Sequence, residues 1–343
     1  MYNKTTPFLL LVFLLFASCT SETLLAPVEI DGKWGFIDKN GKIVINPQFE
    51  DAYPFQEGLA GIRLGRKWGY IDKTGKIVIN PQFEDTWKFQ EGLAMIQLGS
   101  KWGYIDKTGK IVINPQFDGS WGFQEGLAVI QLGSKWGFID KNGSIVINPQ
   151  FDGSWGFQEG LAPIELGGKW GFIDKNGKIA INPQFDDALW FQEGLAPIQL
   201  DWKWGYIDKN GNIVINPQFE KAGDFQEGLA PIKLGRKWGY IDKNGNIAIK
   251  PQFEKARWFQ EGLAKIQLGG KWGYIDKNGS IVINPQFEEA GYFEEGLASI
   301  LLGGKWGYID KNGNIAISPQ FDGTRGFQIE GLAIEFVREY RYI

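Results

Sequence analysis

The chain has 343 residues with 47 glycines, 15 tryptophans, one cysteine, no histidine and a net charge of −4. This excludes histidine-dependent catalysis or ligation, a disulfide framework, and a collagen helix, which needs a Gly-X-Y period. An apolar content of 43% and an aromatic content of 15% are too high for disorder, and a pI near 5.3 lacks the basic footprint of a nucleic-acid partner.

Lys4 supplies a small positive region, and an apolar run follows from Phe8 to Ala17. The run suits a signal peptide over residues 1–18 and falls short of the roughly 20 residues of a membrane-spanning helix. It ends in Phe16-Ala17-Ser18-Cys19. This resembles the lipobox of bacterial lipoproteins, Leu-(Ala/Ser)-(Gly/Ala)-Cys, with Phe16 in the leucine position and Ser18 before the cysteine. The resemblance implies that Cys19 becomes the lipidated first residue of the mature chain. Its thiolate is the natural nucleophile for a thioether. The alternative is an ordinary cleaved signal peptide and a secreted or periplasmic protein. Thr20 follows the cysteine, not the aspartate of an inner-membrane retention signal. The expectation is therefore an outer-membrane or cell-surface lipoprotein, with residues 19–25 as lipidated cysteine and tether.

Trp34, Trp68, Trp102, Trp136, Trp170, Trp204, Trp238, Trp272 and Trp306 stand 34 residues apart without a slip, and the whole unit repeats with them. Such a period marks a solenoid, propeller or array. A tetratricopeptide repeat is excluded, because the unit lacks a 3.6-residue period and is rich in glycine, proline and β-branched residues. Each unit reads as three strands. In one copy these are residues 127–132, residues 135–140, and residues 145–147 continuing toward Phe151. Asn142-Gly143 between the second and third predicts a type I′ turn. Thr74-Gly75 and Thr108-Gly109 predict a glycine bulge instead, because threonine disfavours positive φ. Pro149 must end or bulge the third strand. Residues 152–160 read as an irregular connection. The nine repeated tryptophans are expected to pack between units, and Gly35 and its equivalents to admit a close approach. The glutamine at the Gln48 position is expected to be at least half buried, bonded to neighbouring backbone.

Lys101-Trp102-Gly103-Tyr104-Ile105-Asp106-Lys107 and Ile113-Asn114-Pro115-Gln116-Phe117 closely resemble the WG-repeat (KWG-repeat) family of bacteria. The resemblance covers residues 26 to about 336. It implies an all-β repeat with no assigned enzymatic activity, often an envelope or interaction module. Nine repeats over residues 26–331 leave a degenerate cap at 332–343. The chain begins with a complete first strand at Ala26 and ends with another near Leu332, followed by Tyr340-Arg341-Tyr342. Two surplus strands predict an open β-superhelix; the alternative is a closed propeller-like toroid.

The Asp-Lys-Asn-Gly run lacks the spaced oxygen ligands of a calcium loop and reads as a turn, so no metal or cofactor is expected. Functional variation is concentrated just before each Phe-Gln-Glu-Gly. Tyr53, Trp87, Trp121, Trp155, Trp190, Trp258 and Tyr292 lie there and form a candidate binding edge for an envelope protein or a glycan. Packing beneath a loop is the competing reading. Carboxylates recur in every repeat, whereas a catalytic site is singular. A non-enzymatic binding module, or alternatively a structural spacer or scaffold, is therefore expected, anchored to membrane by its lipid.

Overall fold

The computed structural model describes residues 24–327. The signal segment, Cys19 and the cap at 332–343 lie outside the described residues. The alternation of β-branched and aromatic residues gives 36 strands in nine antiparallel four-stranded sheets. The second sheet consists of Asp51–Ala52, Leu59–Leu64, Lys67–Asp72 and Ile77–Phe83. The stretch read as irregular thus holds a fourth strand of two residues. It is too short to show a period, and it pairs Asp51 with Arg63 and Ala52 with Ile62.

The sheets are blades of a closed ring. The first blade is built from Ala26–Ile30, Lys33–Ile37 and Ile43–Phe49, and takes its fourth strand from Gly323–Thr324 at the far end of the chain. Val28 pairs with Thr324 and Glu29 with Gly323. Asp322 N donates to Glu29 O at 2.8 Å, and Arg325 bridges to Asp51 at 2.8 Å and to Ala52 O at 2.7 Å. The expected open superhelix is therefore wrong, and the toroid is correct: a nine-bladed β-propeller. The strand at Ala26 looked surplus because its inner partner lies almost a whole chain away.

Nine apolar clusters hold the blades together, each drawing on two neighbours. One contains Phe36, Ile45 and Phe49 of the first blade with Ala52, Phe55 and Ile71 of the second. Another joins Ala26, Val28 and Ile37 to Tyr308, Ile317 and Phe321 and so closes the circle. The repeated tryptophans border these clusters. Trp68, Trp170, Trp204, Trp238 and Trp272 are buried, whereas Trp34, Trp102, Trp136 and Trp306 are half-buried.

The glycine after each tryptophan has a specific neighbour. Between the pairs Trp136↔Phe151 and Phe138↔Ile147, residues Asn148, Pro149 and Gln150 stand opposite Gly137 alone. This bulge absorbs the proline and presses backbone onto the glycine. A β-carbon at Gly137 would lie 2.5 Å from Ile147 O and 2.6 Å from the Pro149 nitrogen. The bulge turns Gln48 and its equivalents outward, so this column is exposed in all nine outer strands, contrary to expectation. Gln48 Nε2 donates only to the nearby Asn46 O, at 3.3 Å.

The turns also differ from expectation. Gly41 N donates to Asp38 O at 2.9 Å and only Gly41 has positive φ, at 79°, so Asn40-Gly41 forms a glycine bulge and not a type I′ turn. Thr74-Gly75 follows the same path, which explains why threonine is tolerated there. Two residues of positive φ, the type I′ pattern, occur at Glu57-Gly58, at 51° and 88°.

Gly137→Ala is expected to lower stability by about 3 kcal/mol, read as a lower urea midpoint. Arg325→Ala removes a partly buried ion pair and a charge-assisted hydrogen bond. A loss of about 1–2 kcal/mol is expected, measured in the same way.

Candidate functional site

In a ring, the separation between equivalent residues of neighbouring blades grows with distance from the axis. Equivalents touch at the edge carrying the two-residue strand. The Tyr53 and Trp87 ring centroids are 5.5 Å apart, and Gln158 Nε2 donates to Gln192 Oε1. That edge faces the axis, as propeller blades surround a central channel. Strands such as Ile43–Phe49 form the outer rim. All seven sequence-predicted aromatics therefore lie on the inner wall.

They occupy two register positions one residue apart. Tyr53, Trp87, Trp121 and Trp155 share the first, continued by Leu189, Gly223, Arg257, Gly291 and Arg325. Trp190, Trp258 and Tyr292 share the second. The positions are not equivalent in burial. Trp190 and Trp258 are 6% and 4% exposed, Trp121 is 37% exposed, and Tyr53, Trp87, Trp155 and Tyr292 are half-buried.

The rings touch in series. Tyr53 stacks on Trp68 at 4.6 Å, and burial above all, then Asp85, pushes its hydroxyl up to about 12. Trp155 lies between Trp121 and Trp190, at 5.9 Å and 5.4 Å. Trp190 Nε1 donates to Gly156 O in the preceding blade at 3.1 Å. Trp258 stacks on Tyr292 at 4.5 Å, with the buried Lys265 ammonium 4.1 Å from the Tyr292 ring. Arg325 takes the aromatic position of the last unit. Its guanidinium lies 4.9 Å from the Trp34 ring and 5.1 Å from the Tyr53 ring.

A second system, which sequence reasoning missed, encircles the inner edge. Glu57 carries left-handed backbone, as do Glu91, Glu125, Glu159, Glu193, Glu227, Glu261 and Glu295, at φ 51–54°. This conformation is unfavourable for a side-chain-bearing residue. It lets the Glu57 carboxylate accept from Gly92 N of the next blade at 3.0 Å and meet Lys107 at 3.1 Å. The ion pair recurs in register through Lys311–Glu261 at 2.9 Å. Lys39–Glu295, at 3.0 Å, is the same pair carried across the seam. The signal was present in the invariant Glu-Gly dipeptide.

Each Asp-Lys-Asn-Gly turn spends its aspartate on its own backbone. Asp38 Oδ1 accepts from Asn40 N and Lys42 N at 2.9 and 3.0 Å. Among the described residues no group of three or more His, Cys, Asp or Glu is placed to hold a metal ion. Sequence reasoning also missed Trp202, which is 85% exposed at φ 63° in the turn before Lys203–Ile207. The replacement of the usual glycine turn by Asp201-Trp202 was its signal.

The fold and its inner wall define a closed nine-bladed propeller of tandem repeats. The chain belongs to the WG containing repeat family, which matches residues 34–68, 68–102, 102–136, 136–170, 170–204, 204–238, 238–272, 272–306 and 306–334. No curated protein sequence matches it. Among solved structures it is similar to one described as the eukaryotic initiation factor, at TM-score 0.66 and 11% identity, over 90% of this chain and 98% of that one. At this identity the likeness shows the fold alone. Two others are less alike. The dihydro-heme d1 dehydrogenase NirN gives TM-score 0.46 at 12% identity, over 77% and 74% of the two chains. Hsv2p of Kluyveromyces lactis gives 0.39 at 8%, over 81% and 99%.

The Glu261 clamp makes stability depend on pH. Burial raises the Glu261 carboxyl, but Lys311 and the amides of Gly296 and Glu295 outweigh it and hold the group below the usual range. A carboxyl depressed in the folded state contributes stability above its unfolded pKa and loses it as pH falls through the folded value. Glu261→Gln is therefore expected to flatten the decline in stability below about pH 4.5. Thermal melts from pH 6 to 3 test this; an unchanged slope would show that the clamp contributes nothing.

Proposed function

We propose that the chain is a non-enzymatic scaffold: a rigid ring displayed at the bacterial envelope and tethered through lipidated Cys19. The carrying observation is how the repeated residues are used. Tryptophan, glycine, glutamate and lysine of each unit are engaged in bulges, inter-blade clamps and apolar clusters, and the inner aromatics pack largely on one another. An assembly so committed to its own closure suits the support of other components. The lipobox-like Phe16-Ala17-Ser18-Cys19 and the short tether to Leu24 support the placement.

A second reading, a binding module for glycan or protein, is favoured by one observation. Trp121 keeps more than a third of its surface exposed on the inner wall. Neither reading involves a cofactor or nucleic acid.

The anchor is tested by expressing the full chain and Cys19→Ser with labelled palmitate. The wild type is expected to take up label and to sediment with membranes, and Cys19→Ser to lose both. Membrane retention of unlabelled Cys19→Ser would remove the lipid tether from the scheme. A turnover assay of the purified ring against hydrolase and transferase substrates is expected to show none, and any turnover abolished by one point substitution would overturn the scaffold.

A further inference from the structure

We propose that the ring rests on the bilayer holding the Cys19 lipid, through a rim formed by Ile43, Val44 and their equivalents, with the first three blades leading. The inference deepens the lipid-anchored reading and rests on it.

The rim follows from strand register. Ala26 pairs with Ile37, and Ile37 with Ile43. The start of the outer strand therefore lies at the end of the blade where the chain enters. Each of the nine outer strands opens there with an isoleucine that is 40–48% exposed. An exposed valine follows it in six of them, Val44 and Val78 among these. The next residue, Ile45, is buried in an inter-blade cluster, so packing accounts for it but not for the pair before it. Threonine has the same β-branched preference without the exposed apolar surface. An apolar edge strand also invites wrong pairing. Such a rim, repeated around one end of the ring, marks a contact surface.

The tether selects what covers it. Cys19 stands five residues before Leu24, and five residues reach at most about 18 Å. Leu24 packs against the cluster at the seam. The lipid is therefore held near the end that carries the rim. The strand Ala26–Ile30 alone covers about 17 Å, so the tether is too short to round the ring and lay the opposite end on the bilayer. A bilayer is planar and meets all nine blades at once. In its interfacial layer the isoleucines and valines gain the burial they lack in water.

Charge selects the leading arc. Lys39 and its equivalents engage the clamp glutamates. A further exposed lysine follows the turn glycine at Lys42, Lys76 and Lys110 in the first three blades and at Lys178 in the fifth. The other blades carry serine or asparagine there, as at Ser144 and Asn212. The chain enters in the first blade, so its surroundings are the least acidic arc of this end. An anionic leaflet favours that arc. The lysine stems can lie along the apolar rim while their ammonium groups meet phosphate.

The test uses the full lipidated chain. With Cys19 taken up by its lipid the chain has no other thiol, so one introduced cysteine can carry a nitrobenzoxadiazole probe. Val78→Cys places it on the leading rim, Val214→Cys on the rim across the ring, and Ser134→Cys in a turn at the opposite end. The vesicles contain phosphatidylethanolamine, phosphatidylglycerol and a nitroxide-bearing lipid. The probe at position 78 is expected to shift to the blue and to be quenched about twofold, that at position 214 less, and that at position 134 not at all. Ile43→Thr, Ile77→Thr and Ile111→Thr together are expected to remove most of the quenching, with thermal melts showing an intact fold. No quenching at either rim position, quenching at position 134 equal to that at 78, stronger quenching at 214 than at 78, or undiminished quenching in the folded triple variant would overturn the proposal. A blue shift at position 78 without quenching would place a second copy on this end and overturn it as well. Palmitate labelling of the same preparations reports on the anchor separately. Unlabelled chain removes the anchored reading, whereas labelled chain with an unquenched rim removes this contact alone.

Discussion

The pairing of Gly323–Thr324 with Ala26–Ile30 is the constraint on which the ring depends. Each repeat presents an apolar face on both sides and cannot bury either alone. In an open stack, the first and last blades would each leave one such face in water. The seam removes both by joining Ala26, Val28 and Ile37 to Tyr308, Ile317 and Phe321. The Lys39–Glu295 clamp shows that the register is kept across the join. Arg325 completes it with a charge that meets Asp51 and two aromatic rings at once. A shift of one residue would exchange the buried and exposed sides of the final strand, so the constancy of the 34-residue spacing is what allows the circle to close.

Within each blade, closure depends on a backbone contact. The outer strand needs a bulge to carry its proline, and the bulge needs a neighbour without a β-carbon. Gly35 and its eight equivalents supply that neighbour. The tryptophan before each glycine then faces the inner strand and its aromatics, as Trp68 does against Tyr53. Outer bulge and inner wall are thus joined through one dipeptide, which accounts for its recurrence better than the tryptophan's burial alone, since four of the nine are only half-buried.

Much of this was legible in the sequence. The repeat, the three longer strands, the close approach at Gly35 and the bulge at Pro149 follow from residue chemistry. Three features did not. The inner strand, two residues long in eight of the nine sheets and six only at Lys255–Gln260, mostly lies below the length at which alternation is visible. The turn conformations were exchanged because Asn-Gly was weighed by its intrinsic preference, whereas Glu57 is held left-handed by a carboxylate contact with the next blade. The direction of the array could not be read locally, because the partners at the seam are nearly 300 residues apart. The aromatics of the candidate site were found by their variation between copies. Their division into two register positions is implicit in the 34-residue spacing, whereas the difference in burial between them needed coordinates.

That division gives the inner wall its meaning. Nine nearly identical units produce a nearly symmetric frame, so the departures from symmetry are few and confined. The wall is continuously aromatic from Tyr53 to Trp190 and mixed beyond it, where Asp224, Arg257 and Glu294 join Trp258 and Tyr292, with Arg325 at the seam. Trp190 and Trp258 are covered by their neighbours and serve cohesion. Trp155 packs between Trp121 and Trp190, which leaves Trp121 the most exposed of the seven rings. At Gly122 and Gly156 a glutamine of the preceding blade stands where a β-carbon would lie, Gln90 Oε1 at 2.6 Å and Gln124 Oε1 at 2.7 Å. The two glycines therefore serve the contact between neighbouring blades, and the departures from symmetry along the inner wall are absorbed by repacking within the ring.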